Sequence, residues 1–489
     1  MKHFLGKILK PLLVIYVFTL SYFWWKPLPE FITEKPTTYA IPDGGVHFFA
    51  DYTYIGKDGM RVTEQHIWDQ FMTTIEKAEH MILLDMFLYN DFQGKSPEAT
   101  RALSRELTES LIAKKEKDKH IAIALITDPI NTVYGGIENP DFRRLSSSGI
   151  LVQMTDLGIL RDSNLLWSAF YRPFVSWWGN STTGGWLPHP FQFEGQKVTL
   201  RSWLALLNFK ANHRKILIAD EPIMKGKSRV GQKMVTIVAS ANPHDGSSAH
   251  GNVALKIDDL VWQDVLKAES KLAVLSGGGL PNWQLSEITS DTNGLRATML
   301  REEWIRKKAL EVIGRTKRDD RLDIAMFYLS DRKVVTALKD SAKRGAKIRL
   351  ILDPNKDAFG FTKNGIPNRP VARELVRYSG GDIAVRWCDT HGEQCHAKLM
   401  MGKFATGTVL MLGSANFTRR NIGGYNLEEN ILIEADEEFT AWKDAQKYFD
   451  RLWNNTDGGF TVDYNVYEDT SFWKTSVYRM MERTGLSSF

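Results

Sequence analysis

Apolar and polar positions along this chain alternate between short, strand-length apolar runs and longer amphipathic stretches, and the order in which they come occurs twice. Residues 81–89 (MILLDMFLY) form a continuous apolar run of strand length. A helical stretch follows over 98–114, then a run ending in Asp-Pro at 120–129 (HIAIALITDP) and a short strand near 150–154. A further strand begins at His213, and 235–239 (VTIVA) leads into Ser240-Ala241-Asn242. The series then returns: 322–329 (LDIAMFYL), a helix over 334–343, 347–354 (KIRLILDP), 383–387, a strand at His396, and 409–412 (VLML) leading into Ser414-Ala415-Asn416. Both opening runs carry Met-Phe and reach an Asp just beyond their ends, Asp91 and Asp331. Strand, helix and strand in repeated order predict an α/β fold with a parallel or mixed sheet in each half. The expected architecture is two pseudo-twofold-related α/β/α sandwich lobes. The turn-rich stretch 276–279 (SGGG) and Pro281 mark the boundary, giving a first lobe over 31–278 and a second over 279–489.

The halves are not equal. From Asp128 to His213 is 85 positions, whereas from Asp353 to His396 is 43. The first half therefore carries an insertion at about 157–200, rich in Trp167, Phe170, Tyr171, Trp177, Trp178, Trp186 and Phe193. Two readings stand: an aromatic mini-core covering the lobe, or an element that docks on a membrane or closes over substrate.

The N-terminus changes the picture again. Lys2, Lys7 and Lys10 precede the apolar run 11–25 (PLLVIYVFTLSYFWW). No small-residue cleavage site follows, and its aromatic end suits a lipid interface, so residues 1–30 are read as a signal anchor or membrane segment, with a cleaved signal peptide as the alternative. The positive flank comes first, which places the lobes outside the cytoplasm.

Composition narrows the chemistry. With 489 residues, 43% of them hydrophobic, two substantial cores can form. The net charge of +5 suits an anionic substrate, yet no basic tail or stripe of the nucleic-acid type is present. Cys388 and Cys395 are the only cysteines, too few for a zinc site of the Cys type; they form one disulfide or are two small buried residues.

Of 11 histidines, only His213 and His396 have Lys two positions on, Lys215 and Lys398, and each is followed within about 30 residues by Ser-Ala-Asn. Side chains at i and i+2 share one face of a strand, so each His and Lys face one pocket while Arg214 and Ala397 point away. Two lobes meeting face to face collect two imidazoles, two ammonium groups and the carboxamides of Asn242 and Asn416. That set suits a phosphodiester. Lysines neutralise phosphate oxygens, Asn donates to them, one His attacks phosphorus, and the other manages the leaving-group and incoming protons. It requires no metal and no cofactor.

These residues resemble the HxK(x)4D motif of the phospholipase D superfamily: HRKILIAD at 213–220, then HAKLMMGK at 396–403 followed by Gly413-Ser414-Ala415-Asn416 and Glu428. The layout is similar to bacterial cardiolipin synthases and related phospholipases D. The resemblance implies catalytic roles for His213, Lys215, Asn242, His396, Lys398 and Asn416, with His213 as nucleophile by the family's commoner order. It implies supporting roles for Asp220 and Glu428, acids that orient His or Lys from behind. Two departures follow: Lys403 stands where the family has Asp, and Ala254 where the pattern places Glu. The expected function is a membrane-associated phosphodiesterase or phosphatidyltransferase acting on phospholipid through a phosphohistidine. The alternatives are a nuclease of the same superfamily and a catalytically weakened lipid-binding relative; nucleic acid is not the expected partner.

Overall fold

The computed structural model describes residues 2–95, 100–258, 260–283, 294–358 and 360–487. Two large sheets carry the repeat. The first runs in the order β2 (Val46–Ala50), β8 (Val253–Ile257), β7 (Ser228–Ala239), β6 (Lys215–Lys225), β3 (Met81–Met86), β4 (Ala122–Thr127), β5 (Leu151–Met154). The second runs β1 (Thr38–Ile41), β9 (Leu295–Arg301), β15 (Glu429–Ala435), β14 (Gly407–Gly413), β13 (Lys398–Phe404), β10 (Arg321–Met326), β11 (Lys347–Leu352), β12 (Ile383–Cys388), β16 (Thr461–Asp463). The fold is mixed α/β, as the alternating pattern predicts. In the first sheet β3, β4 and β5 are parallel and β6 lies antiparallel beside β3. The second sheet repeats this with β10, β11, β12 and β13.

The central strands are apolar on both faces because both faces are covered. Ile216 and Ile218 of β6 and Leu399 and Met401 of β13 turn into one apolar layer between the sheets, which the helices Val261–Leu275 and Thr440–Asn454 complete. Leu217 of β6 packs outward with Trp68 and Phe71 of the helix Ile67–Lys77. Met400 of β13 packs outward with Val334 and Leu338 of the helix Arg332–Lys343.

One strand departs from the expected division of the chain. Thr38–Ile41, counted with the first lobe, pairs antiparallel with β9 at the edge of the second sheet. An uncovered β9 would present open backbone donors and acceptors, and the chain's own leading strand caps it.

The N-terminal helix Lys2–Trp25 lies along the helix Leu165–Phe174 of the insertion, where the Tyr16 hydroxyl donates to the Leu166 carbonyl at 3.2 Å. Lys26 donates to the Gly158 carbonyl and the Arg172 guanidinium sits 3.7 Å from the Phe23 ring centroid. Among the described residues, no helix is long and apolar enough to cross a membrane. The insertion holds in part the aromatic mini-core expected of it. Tyr171, Val175 and Ala205 bury against Trp167 and Phe174, while Phe170, Trp177, Trp186 and Phe193 stay exposed. At the other end of the chain the helix Phe472–Thr484 buries Tyr478 and leaves Phe472 and Trp473 exposed.

Candidate active site

The register fixes the site. Met86 pairs with Lys215 and Met326 with Lys398, so the strand ends bring Phe87 and Phe327 beside the two His-x-Lys segments. The Phe87 ring lies 4.7 Å from the His213 ring and the Phe327 ring 5.0 Å from that of His396. The Met-Phe repeat thus has a purpose the sequence alone did not disclose: each Phe backs one imidazole. Each histidine is held by the opposite half. His213 N–H donates to the Leu427 carbonyl and His396 N–H to the Gly251 carbonyl, both at 2.8 Å.

The same exchange supports the rings. His213 Nδ1 lies 2.8 Å from a Glu428 carboxylate oxygen, and His396 Nδ1 lies 3.1 Å from Asn252 Oδ1. Glu428 also accepts from Ser414 Oγ at 2.6 Å and from the Asn421 amide; Asn252 Oδ1 accepts from Ser240 Oγ at 2.9 Å. The serine of each Ser-Ala-Asn therefore fixes the group that fixes a histidine. The counterpart of Glu428 is Asn252, not Ala254, which is a buried residue of β8. Glu428 and Asn252 offer acceptors only to the rings, so both histidines carry their proton on Nδ1 and turn a lone pair at Nε2 toward the cavity.

Two further acids were visible in the sequence only as strand ends. Asp128 accepts from the Asn212 amide at 2.7 Å and Asp353 from the Cys395 amide at 2.9 Å, so each Asp-Pro clamps the residue before a histidine. Cys388 and Cys395 are joined in a disulfide on that approach.

His213, His396, Asn242 and Asn416 line one cavity of about 370 Å³. Lys215 and Lys398 lie beneath it, fully buried, each donating to the carbonyl of its own histidine at 2.6 and 2.7 Å. A third imidazole, His250, lines the same cavity with its ring centroid 5.8 Å from that of His396. Only its position two residues before Asn252 could have drawn attention to it.

Burial dominates the electrostatics. It pushes His213 down to about 4 against the pull of Glu428, and Lys215 down to about 7. His396 falls well below the usual histidine range through burial and the nearby cations Lys398 and Lys215, and Lys398 falls likewise. Burial alone would raise Glu428, but His213 and Lys215 hold it below the usual carboxylate range. The pocket is a cluster of buried basic groups whose charged forms burial disfavours, facing one carboxylate, and an anionic ligand would favour those charged forms.

Asp220 is not part of this cluster. It lies seven residues along the strand from His213, roughly 23 Å at ~3.3 Å per residue. There it accepts from the amides of His80 and Met81 at 2.9 and 2.7 Å, and from Gln232. Its expected role in orienting His213 or Lys215 is replaced by one in closing the turn into β3. Lys403, its counterpart, is exposed and pairs with Glu438 at 2.6 Å. Among the described residues, Glu79, His80 and Asp220 form the single grouping spaced for a metal ion, and it lies at this remote end.

Residues 310–453 match the family described as "Cardiolipin synthase, PLD-like domain". Over that stretch the chain is phospholipase D-like. Its overall fold is similar to that of phosphatidylserine synthase from Haemophilus influenzae, with a TM-score of 0.53 at 10% identity, covering 95% of this chain and 97% of that one. Nuc, a phospholipase D family member from Salmonella typhimurium, aligns at 16% identity and a TM-score of 0.26 over 34% of this chain and 97% of its own. No curated protein sequence matches this chain.

Proposed function

We propose that this protein is a membrane-associated phospholipase D-type phosphodiesterase or phosphatidyltransferase working through a phosphohistidine. The observation that carries the reading is the exchange between halves, which turns His213 Nε2 and His396 Nε2 into one cavity with a carboxylate behind only one of them. His213 is the nucleophile. Its Nε2 attacks phosphorus, the bond to the leaving oxygen breaks, and His396, protonated on binding the anionic substrate, passes its Nε2 proton to that oxygen. Glu428 stabilises the positive charge that the phosphorylated imidazole acquires. Water or an alcohol then loses its proton to His396 while attacking phosphorus, and the phosphorus–nitrogen bond breaks to restore neutral His213. Lys215, Lys398, Asn242 and Asn416 neutralise and donate to the phosphoryl oxygens.

The N-terminal helix and the insertion form the membrane-facing side. Leu13, Phe18, Trp24 and Trp25 of the helix and Phe170 and Trp177 of the insertion are exposed apolar groups on packed neighbours.

The test is turnover of phosphatidylglycerol and phosphatidylcholine in detergent with chelator, beside His213→Ala and His396→Ala. Lipid turnover lost in both variants, with acid-labile phosphoenzyme trapped in His396→Ala alone, is the expected result. Phosphoenzyme in His213→Ala reverses the two roles, and cleavage of single-stranded DNA without lipid turnover replaces the reading with the nuclease.

A further inference from the structure

An apolar annex of about 380 Å³ opens off the catalytic cavity. Phe87, Leu88, Phe92, Ile130, Phe191 and Phe361 wall it, and Phe87, Leu88, Ile130 and Phe191 also wall the cavity that holds the histidines. The two spaces are therefore continuous. The walls come from four places: the segment after β3, the turn Pro129–Thr132 after β4, which supplies Ile130, the insertion, which supplies Phe191, and the short strand Phe361–Thr362 of the second half. Three polar side chains reach the annex, Asn90, His244 and Lys363, and each is engaged within the protein. Asn90 donates to Asn131 at 2.6 Å and accepts from the Phe92 amide at 3.0 Å, and His244 Nδ1 lies 3.0 Å from Ser247 Oγ. Lys363 stands at the junction of the two spaces, donating to the Tyr328 hydroxyl at 2.6 Å.

We propose that the annex receives an acyl chain of the substrate, an inference that rests on the phospholipid reading above. A cavity with aromatic and aliphatic walls holds water poorly and takes hydrocarbon. A nucleobase would need donors and acceptors for its edge, and beyond Lys363 at the junction the annex's polar side chains, Asn90 and His244, are already bonded within the protein. The order of groups follows a phospholipid from end to end: phosphate against the two histidines, a cation at Lys363 beside the ester region, hydrocarbon beyond it. Phe87 touches both the His213 ring and the annex, so the chain-bearing side of the phosphodiester lies on the His213 side. The diacylglycerol part is thereby retained on the enzyme while the head group leaves across the cavity, past Arg420 and Asn426.

The experiment measures kcat/KM on monomeric phosphatidylglycerols with chains of four to eight carbons, each divided by the same protein's rate on bis(4-nitrophenyl) phosphate, which has no chain. In the wild type the ratio rises about fourfold per added methylene, the fold-change matching ~0.8 kcal/mol per buried CH₂. Ile130→Trp, which fills the annex, flattens that rise to under about 1.5-fold per methylene, against the same full-burial benchmark. Phe361→Ala removes a wall at the exposed mouth, where folding is not at stake, and lessens the slope independently. Lipid turnover with no chain-length slope in the wild type overturns the annex and leaves the phospholipid reading standing. A wild-type slope that neither variant reduces places the chain elsewhere and also overturns it. Cleavage of DNA with no turnover of any lipid overturns both readings together.

Discussion

The two histidines differ in the charge of their support, a carboxylate oxygen of Glu428 against the neutral amide oxygen of Asn252. A carboxylate beside an imidazole favours its cationic form, commonly by one to three pKa units. Asn252→Asp should therefore raise His396, and the alkaline limb of kcat/KM, set by loss of the acid's proton in free enzyme, should move up by about one unit or more. A pH profile reads this directly. Glu428→Gln should cost about 10²–10⁴-fold in kcat with the fold intact, as loss of a carboxylate behind a catalytic imidazole does elsewhere. Asp220→Ala should show the opposite signature: a loss of about 1–3 kcal/mol in chemical denaturation, from buried amides left without an acceptor, with kcat on the surviving folded protein retained. The HxK(x)4D spacing exposed Asp220 to view, but a linear motif does not say that seven strand residues carry it out of reach of the histidine. Asn252 stayed hidden because its partner lies 144 residues away in the other half.

Arg214, between the two site residues of its own motif, anchors the elements. It is wholly buried and donates to Glu269 of the helix Val261–Leu275 at 2.7 Å and to Glu302 at 2.9 Å, with Glu429 of β15 at 3.8 Å. Glu302 in turn accepts from the Glu428 amide at 3.2 Å, and its φ of +43° is a conformation that side-chain-bearing residues rarely adopt. The cluster behind the cavity thus ties both halves to the acid that supports His213. Arg214→Met would leave these carboxylates uncompensated, and a loss of about 3–5 kcal/mol is expected in urea denaturation. That Arg214 turns away from the pocket followed from strand alternation; that it turns toward three acids did not, since those acids belong to other elements. On the outer side, Phe18→Glu with Trp25→Glu should weaken binding to anionic vesicles at least tenfold in sedimentation, leaving cleavage of a soluble phosphodiester untouched, because these side chains face away from the cavity.

For the whole molecule, burial holds the basic groups of the cavity below their usual ionisation range, and a bound anion would reverse this. Inorganic phosphate at pH 7.5 should bind with net proton uptake, since the bound anion raises His213, Lys215, His396 and Lys398 toward their cationic forms. Calorimetry in two buffers of different ionisation enthalpy measures the uptake, and its absence would remove the electrostatic basis of the mechanism. The repeat, the strand order within each half and the pairing of the two motifs were legible because each is local or recurs in sequence. The layer between the sheets, the crossed supports and the placement of Thr38–Ile41 were not, because they depend on which faces meet.

That leading strand also bears on how the protein is made. Thr38 finds its partner Thr298 only after 260 more residues have been added. At about 5–20 residues per second, ~13–50 s of translation pass before β1 has a neighbour, while the whole first sheet has already left the ribosome. During that time β1 is an unpaired strand tethered to a folded half, open to association with another nascent chain. The return of the first strand to the second sheet must wait for that synthesis, and slowing translation between the halves should prolong the aggregation-prone interval rather than help the protein fold.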